Sequence, residues 1–351
     1  PSEGDATSTT SRTLAQLAAA RGQVADDLRG ASEQLVPKHW SQEVGPRIDR
    51  YLSMLDFLSA EGETCDPTYF CWHPSERAVA HVLFDAACVC AATGLREMNA
   101  ARCLAQRAAS GADATPEDDR RLAYRLLCSA AHWLERAVAK MRASNHDVDN
   151  SPAHPTLSSQ YFDALRQVAL AQAQEIGIVR AAASPAIEES SSLARACKSD
   201  GLVASLAVCA ADFLRGAVQA LRDVPPPESE SVRSQFAAHF KEIECACLAK
   251  ADAWDALSFA LAARMAFDDD PAAAMAQVAK AREFSSERTL PKSPAFDSVA
   301  AARGATLELV GHICDAIERV NALVAHARPA ATEPRRASPK NLASPKRYQH
   351  G

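Results

Sequence analysis

The stretch from Thr156 to Arg222 decides the fold class. It opens TLSSQYFDALRQVALAQAQEIGIVRAA, and a second apolar run, GLVASLAVCAADFLRGAVQAL, fills Gly201 to Leu221. In the first run Phe162, Leu165, Ala169, Gln172, Ile176 and Val179 alternate at spacings of three and four. That spacing is typical of an amphipathic helix, and it predicts two long helices joined by a polar hinge.

The composition extends this prediction to the whole chain. Of its 351 residues, 48% are hydrophobic but only 6% are aromatic, and alanine supplies much of the apolar count. Alanine has the highest helix propensity and allows backbones to approach closely. Segments with the alternating β-branched pattern of strands are scarce. We therefore expect an all-α fold of stacked helices.

Helix start and stop signals divide the chain into further elements. Thr115-Pro116-Glu117-Asp118 is a helix start, with proline at the first position and acids in the first turn. Prolines at 225–227 stop one helix, and Pro271 follows a break at Asp268–Asp270. We expect a disordered leader over 1–11, one helical domain over 12–328 and a basic, flexible tail rich in proline and serine over 329–351.

Charge and cysteine content restrict the functional class. A net charge of -6 argues against a general nucleic-acid surface, which needs a basic excess. The chain has 11 cysteines, and seven of them fall inside alanine-rich helical runs. Reduced, buried thiols explain these better than a disulfide framework, and they favour a cytoplasmic compartment. No uninterrupted apolar run approaches the length of a transmembrane helix, so we expect no transmembrane segment.

Three residue groups could indicate an enzyme, and each has a simpler explanation. The run Asp268–Asp270 resembles an aspartate-rich Mg²⁺ site, but Pro271 ends it, and capping of the next helix explains it better. Cys65, Cys71 and His73 share one loop and could bind zinc, whereas cysteines two residues apart on a helix face different directions. No nucleophilic cysteine with an ordered histidine stands out. We therefore expect no catalytic residues, no metal and no cofactor.

A binding role is suggested by the apolar run from Leu202 to Leu221. On a helical wheel Leu202, Leu206, Cys209 and Phe213 form one stripe, and a second stripe lies about a quarter-turn away. The second stripe comprises Val203, Ala207, Ala210, Leu214, Val218 and Leu221. This wide apolar arc fits a helix wedged between two neighbours. It also fits a helix with one stripe in the core and the other exposed to a partner's amphipathic helix.

Several short segments, in order, resemble the Bro-one (BRO1, Alix-type) domain family of endosomal sorting. LAQAQE at Leu170–Glu175 matches the most specific of the family's motifs. The other similar segments are Phe70-x-Trp72, HVLFDAA at His81–Ala87, SAAHWL at Ser129–Leu134, LVASLA at Leu202–Ala207, AADF at Ala210–Phe213, Lys250–Ala266 and MAQVAKA at Met275–Ala281. In the second of these, Asp85 stands where the family usually has asparagine. The sequence is identified as a divergent member of the family.

The resemblance implies a curved, boomerang-shaped helical domain with a tetratricopeptide-like core and no enzymatic activity. It also implies an adaptor that binds the C-terminal amphipathic helix of an ESCRT-III subunit through a concave hydrophobic patch. Leu202 and Leu206 match the family's two aliphatic anchors, and Cys209, Phe213 and Ile178 extend the expected partner-binding residues. Gly177 replaces an aromatic that the family often has. A helical scaffold that binds a different peptide or protein partner is therefore the alternative.

The resemblance also predicts a cytoplasmic protein recruited peripherally to endosomes. In the tail, Ser338-Pro339-Lys340 and Ser344-Pro345-Lys346 repeat a Ser-Pro-Lys word. A solvated, disordered end explains this basic segment. Proline-directed phosphorylation of Ser338 and Ser344, or contact with an acidic membrane, is the sharper alternative.

Overall fold

The computed structural model describes most of the helical part of the chain. The described residues are 3–30, 44–60, 82–110, 116–144, 155–182, 199–227, 230–286, 290, 296–325, 328, 334, 336–340 and 343. Cys65, Phe70, Cys71, Trp72 and His73 lie outside these ranges, as does Ser344. The loop whose cysteines and histidine could bind zinc and the second Ser-Pro-Lys word therefore lie outside the described residues.

Every regular element among the described residues is helical, which confirms the all-α fold class. The helices are α1 Glu3–Gly30, α2 Gly45–Ala60, α3 Val82–Ser110, α4 Pro116–Ala143, α5 Ser159–Ala182, α6 Asp200–Arg222, α7 Glu230–Ala266, α8 Pro271–Ser286 and α9 Asp297–Val320. A 3₁₀ turn at Pro155–Leu157 precedes α5, and a π-helical turn at Asn321–Ala325 extends α9.

Helix boundaries follow the capping signals where those signals are strong. α4 begins at Pro116, as the Thr-Pro-Glu-Asp start predicts, and it ends at Ala143. α8 begins at Pro271, and the Asp270 carboxylate accepts a hydrogen bond from the Ala273 amide at 2.9 Å. Asp270 therefore caps α8. At the N-terminus α1 begins at Glu3, inside the segment 1–11 for which we expect a leader.

The chain forms two compact units. The first comprises residues 1–163, 224–230 and 345–351, and the second comprises 164–223 and 231–344. This division splits the single helical domain that we expect over 12–328. It also places part of the predicted flexible tail inside the second unit, where Arg336 forms ion pairs and Ala343 is fully buried.

In the first unit Asp85 joins three helices. This carboxylate on α3 is fully buried, and it accepts hydrogen bonds from Tyr51 of α2 and from Arg21 of α1, the latter at 3.1 Å. Burial and the adjacent Asp85 charge raise the pKa of the Tyr51 hydroxyl. A buried carboxylate needs a positively charged partner, which a buried asparagine does not. Arg21 is that partner, and it makes an aspartate suitable at this position.

The crossing of α3 and α4 depends on Gly94. A Cβ atom at this position would lie 2.9 Å from Leu134 Cγ and 3.0 Å from the Ala130 carbonyl oxygen. Real Cβ atoms essentially never lie within 3.0 Å of another heavy atom, so a side chain here would force Leu134 or the helix backbone to shift. The glycine that looks like a weak point in the helix is therefore a packing requirement.

We predict that Gly94→Ala destabilises the protein although alanine is the better helix former. Overpacking typically costs about 1–3 kcal/mol, which exceeds the ~1 kcal/mol gain in helix propensity. Gly22→Ala on α1 is the matched control, since its Cβ would meet nothing within 4 Å. Thermal denaturation followed by circular dichroism should show a lower Tm for Gly94→Ala and an equal or higher Tm for Gly22→Ala. A higher Tm for both variants would contradict the close approach.

The second unit packs α5 to α9 around a core rich in small residues. Ala249, Ala253, Ala256 and Ala260 of α7 are all at most 2% exposed, so small side chains lie where neighbouring helices approach most closely. Within this unit Arg264 of α7 reaches Asp200 at the start of α6 through two hydrogen bonds, one of them at 2.8 Å. Both side chains are buried, so this ion pair fixes α6 against the end of α7.

We expect Asp200→Ala to lower the free energy of unfolding by about 3–5 kcal/mol, because it leaves the Arg264 guanidinium buried without this carboxylate. The control is Arg121→Ala, which removes an exposed pair with Glu117 and should cost about 0.2–1 kcal/mol. Chemical denaturation measures both values. Similar losses for the two variants would show that the buried pair does not fix α6.

Candidate partner-binding surface

Helix α6 carries four of the five expected binding residues, and most of its circumference is covered. The second apolar stripe, from Val203 to Leu221, is buried throughout. On the first stripe Leu206 is 0% exposed and Cys209 is 6% exposed. Ile178 of α5 is 4% exposed and lies in the same core cluster as Leu206. Helix α6 is therefore packed between neighbouring helices, which is the first of the two arrangements that its wide apolar arc allows.

Leu202 and Phe213 are the expected binding residues that reach the surface. Both are half-buried: Leu202 packs against the core cluster that contains Leu206, and Phe213 packs against Leu214 and Val218. A partner could contact Leu206, Cys209 and Ile178 only by displacing the helices that cover them. The structure thus narrows the surface candidates to Leu202 and Phe213, which lie three turns apart on α6.

Of the helices that the structure describes, α6 is the one that is long and apolar enough to cross a membrane. However, 61% of its most apolar window is buried inside the protein. Its first residue, Asp200, pairs with Arg264, and Arg215 pairs with Asp255 at 2.5 Å. These contacts are those of a core helix.

The LAQAQE segment ties α5 to α6 and α7. Leu170, Ala171 and Ala173 are buried, and the Gln174 side-chain amide donates to the Cys209 sulfur at 3.4 Å. The Glu175 carboxylate pairs with Lys250 at 2.5 Å and accepts a hydrogen bond from the Trp254 indole at 3.2 Å. The side-chain contacts of the LAQAQE segment are thus internal to the second unit.

The polar side of α6 carries an acidic cluster that sequence reasoning missed. Asp212 of α6 and the buried Asp255 of α7 both bind Arg336, whose Nη1 lies 2.8 Å from Asp212 and whose Nε lies 2.8 Å from Asp255. Arg215 of α6 also binds Asp255, and it lies 3.5 Å from Asp252. The available sequence signal was a short basic segment, rich in arginine, at the end of an otherwise acidic chain.

An open groove of about 500 Å³ lies between the end of α6 and the first half of α7. It is lined by Leu221, Arg222, Ala237, Phe240, Lys241, Glu244, Cys245 and Leu248. None of the expected binding residues lines this groove. Arg222 and Glu244 pair across it, so its walls combine apolar and charged groups.

The cysteines have the character of buried apolar side chains. Burial raises the pKa of Cys90 to about 12 and those of Cys247 and Cys314 to about 11. A thiol with so high a pKa carries almost no thiolate at neutral pH and is a poor nucleophile. Of the described cysteines Cys103 is exposed and Cys245 is half-buried. No group of three or more metal-ligating side chains occurs among the described residues.

Alkylation of the native protein at pH 8 tests this description of the thiols. We predict that Cys103 is modified rapidly, whereas Cys90 and Cys314 react only after unfolding in guanidinium, because they are buried and protonated. Peptide mapping by mass spectrometry assigns each site separately. Modification of Cys90 at the rate of Cys103 would show that the first-unit core opens readily.

Several solved structures are similar to this chain. No protein-family model and no curated protein sequence matches it. A structure of ALIX in complex with the SIVmac239 PYKEVTEDL late domain aligns with a TM-score of 0.59 and 14% identity, over 96% of this chain and 44% of that one. The chain thus spans less than half the length of that ALIX structure.

Two further structures cover most of both chains. One describes endosomal targeting by the Bro1 domain, with a TM-score of 0.54, 13% identity, and coverage of 93% of this chain and 82% of that one. The other is the ALIX BRO1 CHMP4C complex, with a TM-score of 0.54, 14% identity, and coverage of 95% and 86%. The chain therefore has a Bro1-like fold with strongly diverged sequence.

Proposed function

We propose that the protein is a non-enzymatic adaptor of endosomal sorting that binds the C-terminal amphipathic helix of an ESCRT-III subunit. The observation that carries this proposal is the Bro1-like fold, since one structure with that fold is a complex with CHMP4C. The protein would act in the cytoplasm and associate peripherally with endosomes through such a partner.

The proposed contact on this chain is the exposed side of α6. Leu202 and Phe213 are half-buried apolar side chains on a helix that is otherwise covered. An amphipathic helix binds by placing apolar side chains into such a surface at intervals of one turn. A pair of anchors three turns apart matches the length of a short partner helix.

A second candidate keeps the fold but changes the partner. Leu206, Cys209 and Ile178 are core residues, and Gly177 stands where an aromatic is usual in the family. Both differences reduce the apolar surface available to an ESCRT-III helix. A scaffold that binds another peptide through the same surface fits these differences, and pull-down with each ESCRT-III C-terminal segment in turn separates the two candidates.

We predict that Leu202→Asp weakens binding of the ESCRT-III helix by at least tenfold while the protein stays folded. Loss of an apolar anchor typically costs about 2–4 kcal/mol, and an acid in the first turn of α6 is compatible with the helix dipole. Phe213→Ala should weaken the same interaction. Fluorescence anisotropy with a labelled peptide of the CHMP4C C-terminal helix measures the affinity, and far-UV circular dichroism measures folding.

Two further variants make this test decisive. Leu206→Asp buries a charge in the core and should unfold the second unit, unlike Leu202→Asp. Leu309→Asp on α9 changes a leucine that is 43% exposed elsewhere and should leave binding unchanged. Equal binding by the Leu202→Asp, Phe213→Ala and Leu309→Asp variants would rule out this surface of α6.

A further inference from the structure

Residues 336–340 and 343 are docked on the helices of the second unit through three kinds of contact. The Arg336 guanidinium binds both Asp212 and Asp255. Ala337 packs against the core cluster formed by α5 to α9. The Lys340 amide donates to the Ser205 carbonyl oxygen at 3.1 Å, and Ala343 is 0% exposed. A side-chain ion pair, a backbone hydrogen bond and apolar burial thus all hold these residues in place.

Charge explains why an arginine occupies this position. Three carboxylates (Asp212, Asp252 and Asp255) and two guanidiniums (Arg215 and Arg336) form one connected set of ion pairs. The sum is a charge of -1 with Arg336 in place and -2 without it. Asp255 is 2% exposed, so water can compensate little for the loss of Arg336. The carboxylates are therefore arranged to bind a second guanidinium group in addition to that of Arg215.

We propose that this acidic cluster on α6 and α7 is a binding site for an arginine-bearing segment, that residues 336–340 occupy it in cis, and that phosphorylation of Ser338 releases them. The occupant is this chain's own segment, because that segment is seated there. A basic peptide from another protein would have to compete with it.

The docked segment lies beside the surface that we propose for partner binding. Ser205, which binds the Lys340 amide, is within one turn of Leu202, and Asp212 directly precedes Phe213. Ala337 packs against the same cluster as Leu202. A partner helix seated on Leu202 and Phe213 would therefore meet this segment. This part of the inference rests on the proposed function, and the docking itself does not.

Ser338 is placed where a charge change would release the segment. It is exposed, and it lies two residues from Arg336, a span of at most about 7 Å of extended chain. A proline-directed kinase would transfer the terminal phosphoryl group of ATP to the Ser338 hydroxyl oxygen, releasing ADP and the hydroxyl proton. The product adds about -1.5 to -2 charges beside Asp212 and Asp255 and offers Arg336 a competing partner. Both effects weaken docking.

Hydrogen exchange tests the docking without reference to any partner. We expect Arg336→Glu and Ser338→Glu in the full chain to speed exchange of the Lys340 amide at least tenfold, because its bond to Ser205 opens. Arg328→Glu makes the same charge reversal outside the segment and should leave the rate unchanged. An unchanged Lys340 rate in Arg336→Glu overturns the docking proposal. An unchanged rate after stoichiometric phosphorylation of Ser338 overturns the switch.

Peptide affinity tests the consequence for partner binding separately. If the segment is docked about 90% of the time, its release tightens the apparent affinity for the CHMP4C C-terminal helix peptide about tenfold. Faster exchange of the Lys340 amide with unchanged peptide affinity would show that the segment does not compete with the partner helix, although the docking site would stand. Faster exchange with no peptide binding in any variant would overturn the proposed function and the competition together, and the docking site would again stand.

Discussion

The burial of α6 on both of its apolar stripes is the constraint on which the second unit depends. A helix covered on two sides must satisfy its charged residues internally, and α6 does so through Asp200 with Arg264 and Arg215 with Asp255. The helix can offer a partner only the narrow side that α5, α7 and the other helices leave uncovered. Of the first apolar stripe, only Leu202 and Phe213 are exposed enough to contact a partner without displacing other helices.

Local signals account for the elements that the sequence predicts well. Proline, acidic first turns and three–four spacing place α4 to within a residue, and the alanine-rich runs indicate the tightly packed α7. The LAQAQE word indicates the fold because its residues join three helices through Cys209, Lys250 and Trp254. Such contacts depend on residue type as well as hydrophobicity, so they leave a recognisable pattern even at 14% identity.

Long-range packing decides what the sequence does not predict. A helical wheel shows that α6 has a wide apolar arc, but it cannot show which stripe is covered, and Leu206 and Cys209 are covered. The contact of Arg336 with Asp212 joins residues 124 positions apart, and composition alone suggests a mobile tail there. The coverage of Leu206 and Cys209 and the contact of Arg336 both lie at the edge of α6, where the predicted binding residues meet the docked segment.

We propose that the uncovered edge of α6 is the partner-binding surface and that residues 336–340 border it. Hydrogen exchange of the full chain with and without the CHMP4C C-terminal helix peptide tests this claim most directly. We expect peptide binding to slow amide exchange in α6 around Leu202 and Phe213 and to speed exchange of the Lys340 amide. Protection confined to the groove lined by Leu221, Phe240 and Leu248, with exchange of the Lys340 amide unchanged, would contradict this assignment of the binding surface.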